Sequence, residues 1–204
     1  MRHLNLAFPD DREALLALRQ GSLDDEALSL AVRDILREVR ADGDAAVRRF
    51  TERFDGVVVR SPSLSQAGLE EAAQACDPEV RRILEKAADR IGSFHAAQQP
   101  RSYELAGGRV EQRIRPLDRV GLYVPGGRAS YPSTVLMNAV PARVAGVREL
   151  FVATPPNGEG GLDPAIAAAC LIAGVDRVFL MGGAQAVGAF AFGTAAVPRV
   201  NKIC

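Results

Sequence analysis

Two patterns of apolar and polar positions divide the chain near residue 118. Before this point, apolar side chains recur at three- and four-residue steps between charged positions, which is the pattern of amphipathic helices. After it, short apolar runs alternate with Ala-rich segments that end at glycine. We therefore predict two parts: residues 1–118, an N-terminal helical segment with a hairpin, and residues 119–204, a domain of alternating strands and helices.

The first part is predicted to be helical, with little sheet. A short helix begins near Asp10 and ends at Gly21, and further helices are predicted over residues 22–40, 45–54, 65–75 and 78–98. The run Val57–Val59 predicts a short strand. Two segments, 103–106 and 110–115, predict a hairpin with a two-residue Gly107-Gly108 turn.

In the second part, each predicted helix stops at a glycine and the chain re-enters a strand a few residues later. The strands are predicted at 119–124, 149–154, 176–181 and 200–204, and the helices at 132–145, 164–173 and 184–192. This order is typical of right-handed βαβ units in a parallel sheet that is covered on both faces. The predicted fold class is α/β: a helical N-terminal part of a first α/β domain, followed by a Rossmann-like parallel-sheet domain that is incomplete at the C-terminus.

The composition excludes few classes of protein, but it limits the binding partners that we expect. Hydrophobic residues make up 48% of the 204, and 25 basic residues balance 25 acidic ones. A neutral chain has no overall field that attracts nucleic acid or an anionic membrane, so we expect neither as a partner. The sequence has no apolar run of membrane-spanning length and no signal-peptide pattern, so we predict a cytoplasmic location. Three distant cysteines, an odd number, indicate free thiols.

Two glycine-rich junctions between a strand and a helix are the candidate binding elements. The first is Pro125-Gly126-Gly127, and the second is Gly182-Gly183. A helix N-terminus after such a turn presents unpaired N–H groups and a positive dipole end, which suit a phosphate or a cofactor edge. The alternative is a tight turn without a ligand. Neither junction has the G-x-G-x-x-G dinucleotide pattern.

Two side chains at these junctions are candidate cofactor ligands. Tyr123 supplies a flat ring with a hydroxyl at a strand end, and Gln185 supplies a donor and an acceptor in the first turn of a helix. The alternatives are an interface-facing strand residue for Tyr123 and a surface or N-terminal helix residue for Gln185. Arg128 is a candidate anion contact, with a solvated loop arginine as the alternative.

The chain carries no visible catalytic machinery. The two histidines, His3 and His95, are remote from each other, and there is no Cys-x-x-Cys spacing, so we predict no metal ligands in this sequence. There is also no Ser-His-Asp or Cys-His arrangement. The residues by themselves indicate a cofactor- or nucleotide-binding α/β chain without catalytic residues.

Several motifs, in order along the chain, resemble histidinol dehydrogenases. They include Gly43-Asp44 and Phe54-Asp55-Gly56 in the first part. In the second part they cover 119–127 (RVGLYVPGG), 131–142 (YPSTVLMNAVPA), 144–147 (VAGV), 173–176 (AGVD), 182–186 (GGAQA), 192–194 (FGT) and 197–202 (VPRVNK).

The resemblance implies a zinc-dependent, NAD-linked alcohol and aldehyde dehydrogenase. Such an enzyme, a homodimer, oxidises L-histidinol through L-histidinaldehyde to L-histidine in histidine biosynthesis. The residues that match Tyr123 and Gln185 contact NAD in that family. Its acid/base pair, its zinc ligands and its substrate-binding residues lie beyond the stretch that this chain matches, and Cys204 matches no functional residue.

The resemblance therefore implies an N-terminal portion of the enzyme, which we expect to bind no zinc and to be inactive alone. The alternative is a non-catalytic nucleotide-binding or dimerisation module derived from that enzyme.

Overall fold

The computed structural model describes residues 5, 7–20, 26–126 and 129–204. These residues form two compact units, one up to residue 34 and one from residue 35 to 204. In the first unit, helix α1 (Pro9–Gln20) begins where it is predicted, and the Asp11 carboxylate accepts a hydrogen bond from the backbone N–H of Asn5 at 2.8 Å. The predicted helix end at Gly21 and the first residues of the predicted helix 22–40 lie outside the described residues.

The predicted helices of the first part are confirmed. They are α2 (Glu26–Asp42), which begins in the first unit, α3 (Asp44–Asp55), α4 (Gln66–Gln74) and α5 (Pro78–Ala96). Their ends carry ordinary caps. The Ser65 side chain accepts from the N–H of Gly68, Asp77 accepts from the N–H of Glu79, and Gly56 ends α3 at a φ of 70°.

The predicted hairpin is present, but the predicted length of its turn is wrong. Strands β1 (Tyr103–Leu105) and β2 (Val110–Gln112) are antiparallel, and Leu105 pairs with Val110. The loop therefore has four residues, 106–109, instead of the predicted two. Three of them have positive φ, namely Ala106, Gly107 and Gly108, so the chain turns more gradually than in a two-residue turn.

The second part forms the predicted parallel sheet. Its strands are β3 (Arg119–Tyr123), β4 (Glu149–Thr154), β5 (Arg177–Leu180) and β6 (Lys202–Ile203), and the connecting helices are α6 (Pro132–Val144), α7 (Pro164–Ile172) and α8 (Gly183–Phe192). The strand order is β5-β4-β3-β6, and all pairs are parallel. The chain steps outward from β3 to β5 and then returns to the other side of β3, as in half of a Rossmann fold.

The prediction of a strand at Val57–Val59 is wrong, because this segment forms no strand and has no ladder partner among the described residues. A neighbouring segment pairs with the sheet instead. Leu64 donates its N–H to the Val178 carbonyl at 2.9 Å, and Leu180 donates to the Pro62 carbonyl at 2.7 Å. The segment thus covers the free edge of β5, which would otherwise expose unpaired backbone groups.

Both faces of the sheet are buried. One face, with Leu122, Leu150 and Val152, packs under α6 and α7, which in turn contact α4 and α5. The other face carries Phe151 and Phe179, which pack with residues of α8 and α3. Helices of the predicted first part therefore cover the sheet of the second. The predicted domain boundary between residues 118 and 119 stays a prediction.

Helix α3 is fixed at its N-terminus to the loop after α8. The Asp44 carboxylate accepts hydrogen bonds from the Thr194 hydroxyl and from the N–H of Ala196, the latter at 3.0 Å. Thr194 in turn accepts from the N–H of Val197 at 3.0 Å. Because Asp44 is held in this way, the opposite end of α3, with Phe54 and Asp55, has a defined position at the carboxyl edge of the sheet.

The close approach of α8 to β3 requires a glycine at position 121. A Cβ built there would lie 2.6 Å from the Phe190 ring. We predict that Gly121→Ala lowers the free energy of unfolding by about 1–3 kcal/mol, because the packed ring has no room to move. Urea unfolding measures the change. A matched control is Gly158→Ala, since a Cβ there has nothing within 4 Å; equal effects of the two substitutions would contradict the prediction.

Candidate functional site

The carboxyl edge of the sheet contains a topological switch point between β3 and β6. The connection after β4 leads away from β3 on one side, and β6 lies on the other. Open α/β sheets bind ligands in the crevice at such a point. Tyr123 ends β3 there and donates its backbone N–H to the Cys204 carbonyl at 2.8 Å.

The two predicted junctions meet at this edge. The Tyr123 hydroxyl accepts a hydrogen bond from the backbone N–H of Gly183, the first residue of α8, at 3.1 Å. The side chain of Tyr123 is half-buried and packs against the core on the α8 face. The side chain at the end of β3 and the N-terminus of α8 therefore form one site.

Gln185 is buried in the same place without hydrogen-bond partners. It is 1% exposed, and neither its Nε2 nor its Oε1 has a partner among the described residues. The surface-residue interpretation of Gln185 is therefore wrong. A buried amide without partners costs about 1–3 kcal/mol, and such groups are uncommon in folded proteins.

The backbone of Gly183 makes room for this amide. Gly183 has a φ of 56°, and a Cβ there would lie 2.7 Å from the Gln185 Oε1. Both the left-handed backbone and the close approach require glycine. The N–H of Ala186 donates a hydrogen bond to the Gly182 carbonyl at 3.1 Å, so the first turn of α8 has regular helical hydrogen bonding.

The other glycines of the junctions make room for a proline. A Cβ on Gly126 would lie 3.1 Å from the Pro155 ring, and one on Gly182 would lie 2.7 Å from it. Pro155 thus lies against both glycine turns. These two glycines have a packing reason for their presence, whereas Gly127 and Arg128 lie outside the described residues.

A cleft of about 440 Å³ adjoins this site at the ends of α3 and β4. Its lining includes two groups that the sequence did not suggest as ligands. Thr154 is 1% exposed with an unpartnered Oγ1, and the buried Oδ2 of Asp55 also has no partner among the described residues. The Asp55 Oδ1 lies 3.6 Å from where a Cβ of Gly182 would be, so the cleft and the start of α8 are contiguous.

The surroundings of Asp55 disfavour the ionised form of its carboxyl group. Burial raises the pKa of its carboxyl above the usual value. It also occupies the last turn of α3, where the negative end of the helix dipole opposes a carboxylate. This second feature is visible in the sequence, since an aspartate directly before a helix-ending glycine is an unfavourable choice, and it could have identified Asp55 as a functional candidate.

The histidine in the described part of the chain lies away from this site. His95 lies near the end of α5, where its ring contacts Phe94 edge-on. Within the described ranges, no group of three or more His, Cys, Asp or Glu residues is arranged to hold a metal ion. The described residues therefore do not fit a zinc centre.

No helix in the described part of the chain has the length and apolarity to cross a membrane.

Comparison with known proteins gives the family. A family model described as histidinol dehydrogenase matches residues 18–204. The chain belongs to the histidinol dehydrogenase family. The match includes both junctions and most of the helical first part, so the resemblance inferred from the motifs is confirmed.

Individual relatives agree with this family. A histidinol dehydrogenase of Aromatoleum aromaticum is 52% identical over 198 residues, which cover 94% of this chain and 44% of the relative. One from Pseudomonas putida is 50% identical over 208 residues, covering 98% of this chain and 47% of the relative. The chain thus spans about half the length of the curated relatives it matches.

A solved structure supports the fold. The crystal structure of histidinol dehydrogenase from Elizabethkingia anophelis aligns with a TM-score of 0.81 at 30% identity. The alignment covers 86% of this chain and 41% of the other. The α/β class with a Rossmann-like parallel sheet is therefore confirmed.

The raised pKa of Asp55 predicts a pH-dependent effect of Asp55→Asn. A carboxyl with a raised pKa in the folded state stabilises the fold at low pH and loses that contribution as the pH rises through this pKa. At pH 7 the asparagine variant should therefore be more stable than the native chain. At about pH 3.5, where the carboxyl is largely protonated in both states, the difference should be smaller.

Urea unfolding at both pH values measures this effect. Asp89→Asn, which removes an exposed carboxylate from α5, is the control and should show no such pH-dependent gain. A destabilised Asp55→Asn variant at pH 7 would contradict the assignment of Asp55 as an unpartnered, desolvated carboxylate.

Proposed function

We propose that this chain supplies the NAD-binding part of a histidinol dehydrogenase. The observation that carries the proposal is the buried, unpartnered amide of Gln185 beside the Tyr123 hydroxyl at the switch point. The enzyme would oxidise L-histidinol through L-histidinaldehyde to L-histidine, as the family implies. When bound, NAD supplies the hydride acceptor for each oxidation.

The residues present fit such a cofactor. Gln185 offers both a donor and an acceptor that lack partners, so a ligand with amide or hydroxyl groups satisfies them. The Tyr123 ring forms an apolar wall, and its hydroxyl, already an acceptor for the Gly183 N–H, still has its proton to donate. The positive end of α8 favours a negatively charged group next to them.

The glycine turns at the site are closely packed. A Cβ on Gly126 or Gly182 would contact Pro155, and one on Gly183 would contact the Gln185 amide. In this proposal, Tyr123 and Gln185 bind and orient the cofactor, and neither transfers a proton.

The remaining parts of the reaction are assigned to sequence that this chain does not span. We propose that the zinc ligands, the acid/base pair and the L-histidinol site are supplied there, and that this chain alone binds no zinc and is inactive. We also propose a cytoplasmic homodimer, as in the family. Sedimentation equilibrium of the chain would test the dimer.

Gln185→Leu separates the binding role from a structural role. Leucine has a similar volume and no polar atoms, so removing the unpartnered amide should raise the free energy of unfolding by about 1 kcal/mol. The same change should weaken NAD binding at least about tenfold, because the ligand loses its hydrogen bonds. Urea unfolding and isothermal titration with NAD measure the two effects.

The control for this variant is Gln74→Leu, at an exposed position of α4. It should change neither quantity appreciably. A Gln185→Leu variant that binds NAD as tightly as the native chain would contradict the proposal. A native chain that does not bind NAD at all would leave only a scaffold or dimerisation role.

A further inference from the structure

We propose that Asn157-Gly158 is a modification site, at which the chain deamidates itself through a succinimide whose formation the surrounding loop promotes. The pair lies in the loop between β4 and α7, and both residues are exposed. Of the four asparagines in the sequence, Asn157 alone is followed by glycine. The inference concerns the chemistry of this loop and does not depend on the proposed function.

The reaction uses the backbone nitrogen of Gly158 as its nucleophile. This nitrogen loses its proton to solvent and attacks Cγ of Asn157, so that a cyclic imide forms. The bond from Cγ to Nδ2 breaks, and Nδ2 takes up a proton from solvent and leaves as ammonia. Water then opens the ring at either of its carbonyls, which gives an aspartate or a β-linked isoaspartate. Water is the co-reactant, and no atom is oxidised or reduced.

Two backbone donors hold the side-chain carbonyl of Asn157. Its Oδ1 accepts hydrogen bonds from the N–H of Glu159 at 3.1 Å and from the N–H of Gly161 at 2.8 Å. Negative charge develops on this same oxygen when the Gly158 nitrogen attacks Cγ. Backbone N–H groups that are already aimed at such an oxygen lower the barrier, as in the oxyanion holes of acyl-transfer enzymes. The loop therefore activates this carbonyl for attack.

The attacking nitrogen is unobstructed. No acceptor in the described part of the chain takes a hydrogen bond from the N–H of Gly158. A Cβ built on Gly158 has nothing within 4 Å, so open space surrounds the residue. Glycine also has more backbone freedom than a residue with a Cβ, which allows its nitrogen to reach the conformation for attack.

The other three asparagines lack this combination. Asn5, Asn138 and Asn201 are each followed by a residue that carries a Cβ. Asn138 also lies inside α6, where its Nδ2 donates to the Thr134 carbonyl at 2.8 Å. These three residues are therefore internal controls within the same sample.

The modification changes a loop that lies next to the candidate site. Isoaspartate routes the main chain through the former side chain and so inserts a methylene group before Gly158. At present the N–H of Asn157 donates to the Gly161 carbonyl at 2.8 Å, and the N–H of Gly160 donates to the Asn157 carbonyl at 2.9 Å. The inserted group displaces these partners. The same loop contains Pro155, which packs against the glycine turns at positions 126 and 182.

Incubation of the folded chain in a mildly alkaline buffer, followed by proteolysis and mass spectrometry, tests the proposal. Deamidation at Asn157 should be at least about tenfold faster than at any other asparagine. A methyltransferase specific for isoaspartate identifies the β-linked product. A rate at Asn157 equal to the rates at the three other asparagines would overturn the proposal.

Gly158→Ala tests the role of the nucleophile. It should slow the reaction at Asn157 at least about tenfold, because the Cβ restricts the attacking backbone. The stability of this variant in urea should equal that of the native chain, since the added Cβ meets nothing. An unchanged rate of deamidation in Gly158→Ala would contradict the succinimide route.

Gly161→Pro tests the activating donors, because it removes the N–H that lies 2.8 Å from the Asn157 Oδ1. Gly161→Ala is the matched control: it keeps the N–H, and its Cβ would be in ordinary contact with the Asn157 side chain at 3.5 Å. The proline variant should deamidate severalfold more slowly than the alanine variant, and equal rates would overturn the activating role of the loop. Circular dichroism verifies that each variant is folded. If Gly161→Pro is not, Glu159→Pro against Glu159→Ala makes the same comparison for the other donor.

Discussion

The buried amide of Gln185 is the constraint on which the candidate site depends. Nothing in the described chain pairs with it, and the backbone of Gly183 is shaped to leave it space. A buried amide without a partner costs about 1–3 kcal/mol, and ligand binding is the compensation that we propose for it. The hydrogen bond from Gly183 to the Tyr123 hydroxyl holds the second candidate residue against the same turn.

The surrounding packing and hydrogen bonds position these groups. The sheet is packed on both faces, and its aromatic layer fits so closely that position 121 admits only glycine. Helix α3 is tied at Asp44 to the loop after α8, and its other end delivers Asp55 to the carboxyl edge. The candidate site is therefore built from the parallel sheet and from a helix that precedes it by more than sixty residues in the sequence.

Sequence patterns predicted most of this fold because its local signals are strong. Glycines with left-handed backbones end α6, α7 and α8, and Asp, Ser and Pro mark helix starts, so the βαβ order could be inferred directly. The run Val57–Val59 predicts a strand because β-branched residues favour strands. Whether a strand forms, however, also depends on a neighbouring segment that can pair with it. Thr154 could not be predicted as a site residue because its burial without a partner depends on long-range packing, whereas the position of Asp55 before a helix-ending glycine was a signal that the sequence analysis did not use.

The central claim is that the unpartnered Gln185 amide binds the cofactor, and the NMR signal of its side chain tests this most directly. Nitrogen-15 labelled chain is titrated with NAD, and Gln185→Leu assigns the side-chain NH₂ resonances by their absence. The account predicts that these resonances shift and saturate together with NAD binding, because the amide acquires its first hydrogen-bond partner. Unchanged Gln185 side-chain resonances in a chain saturated with NAD would contradict it.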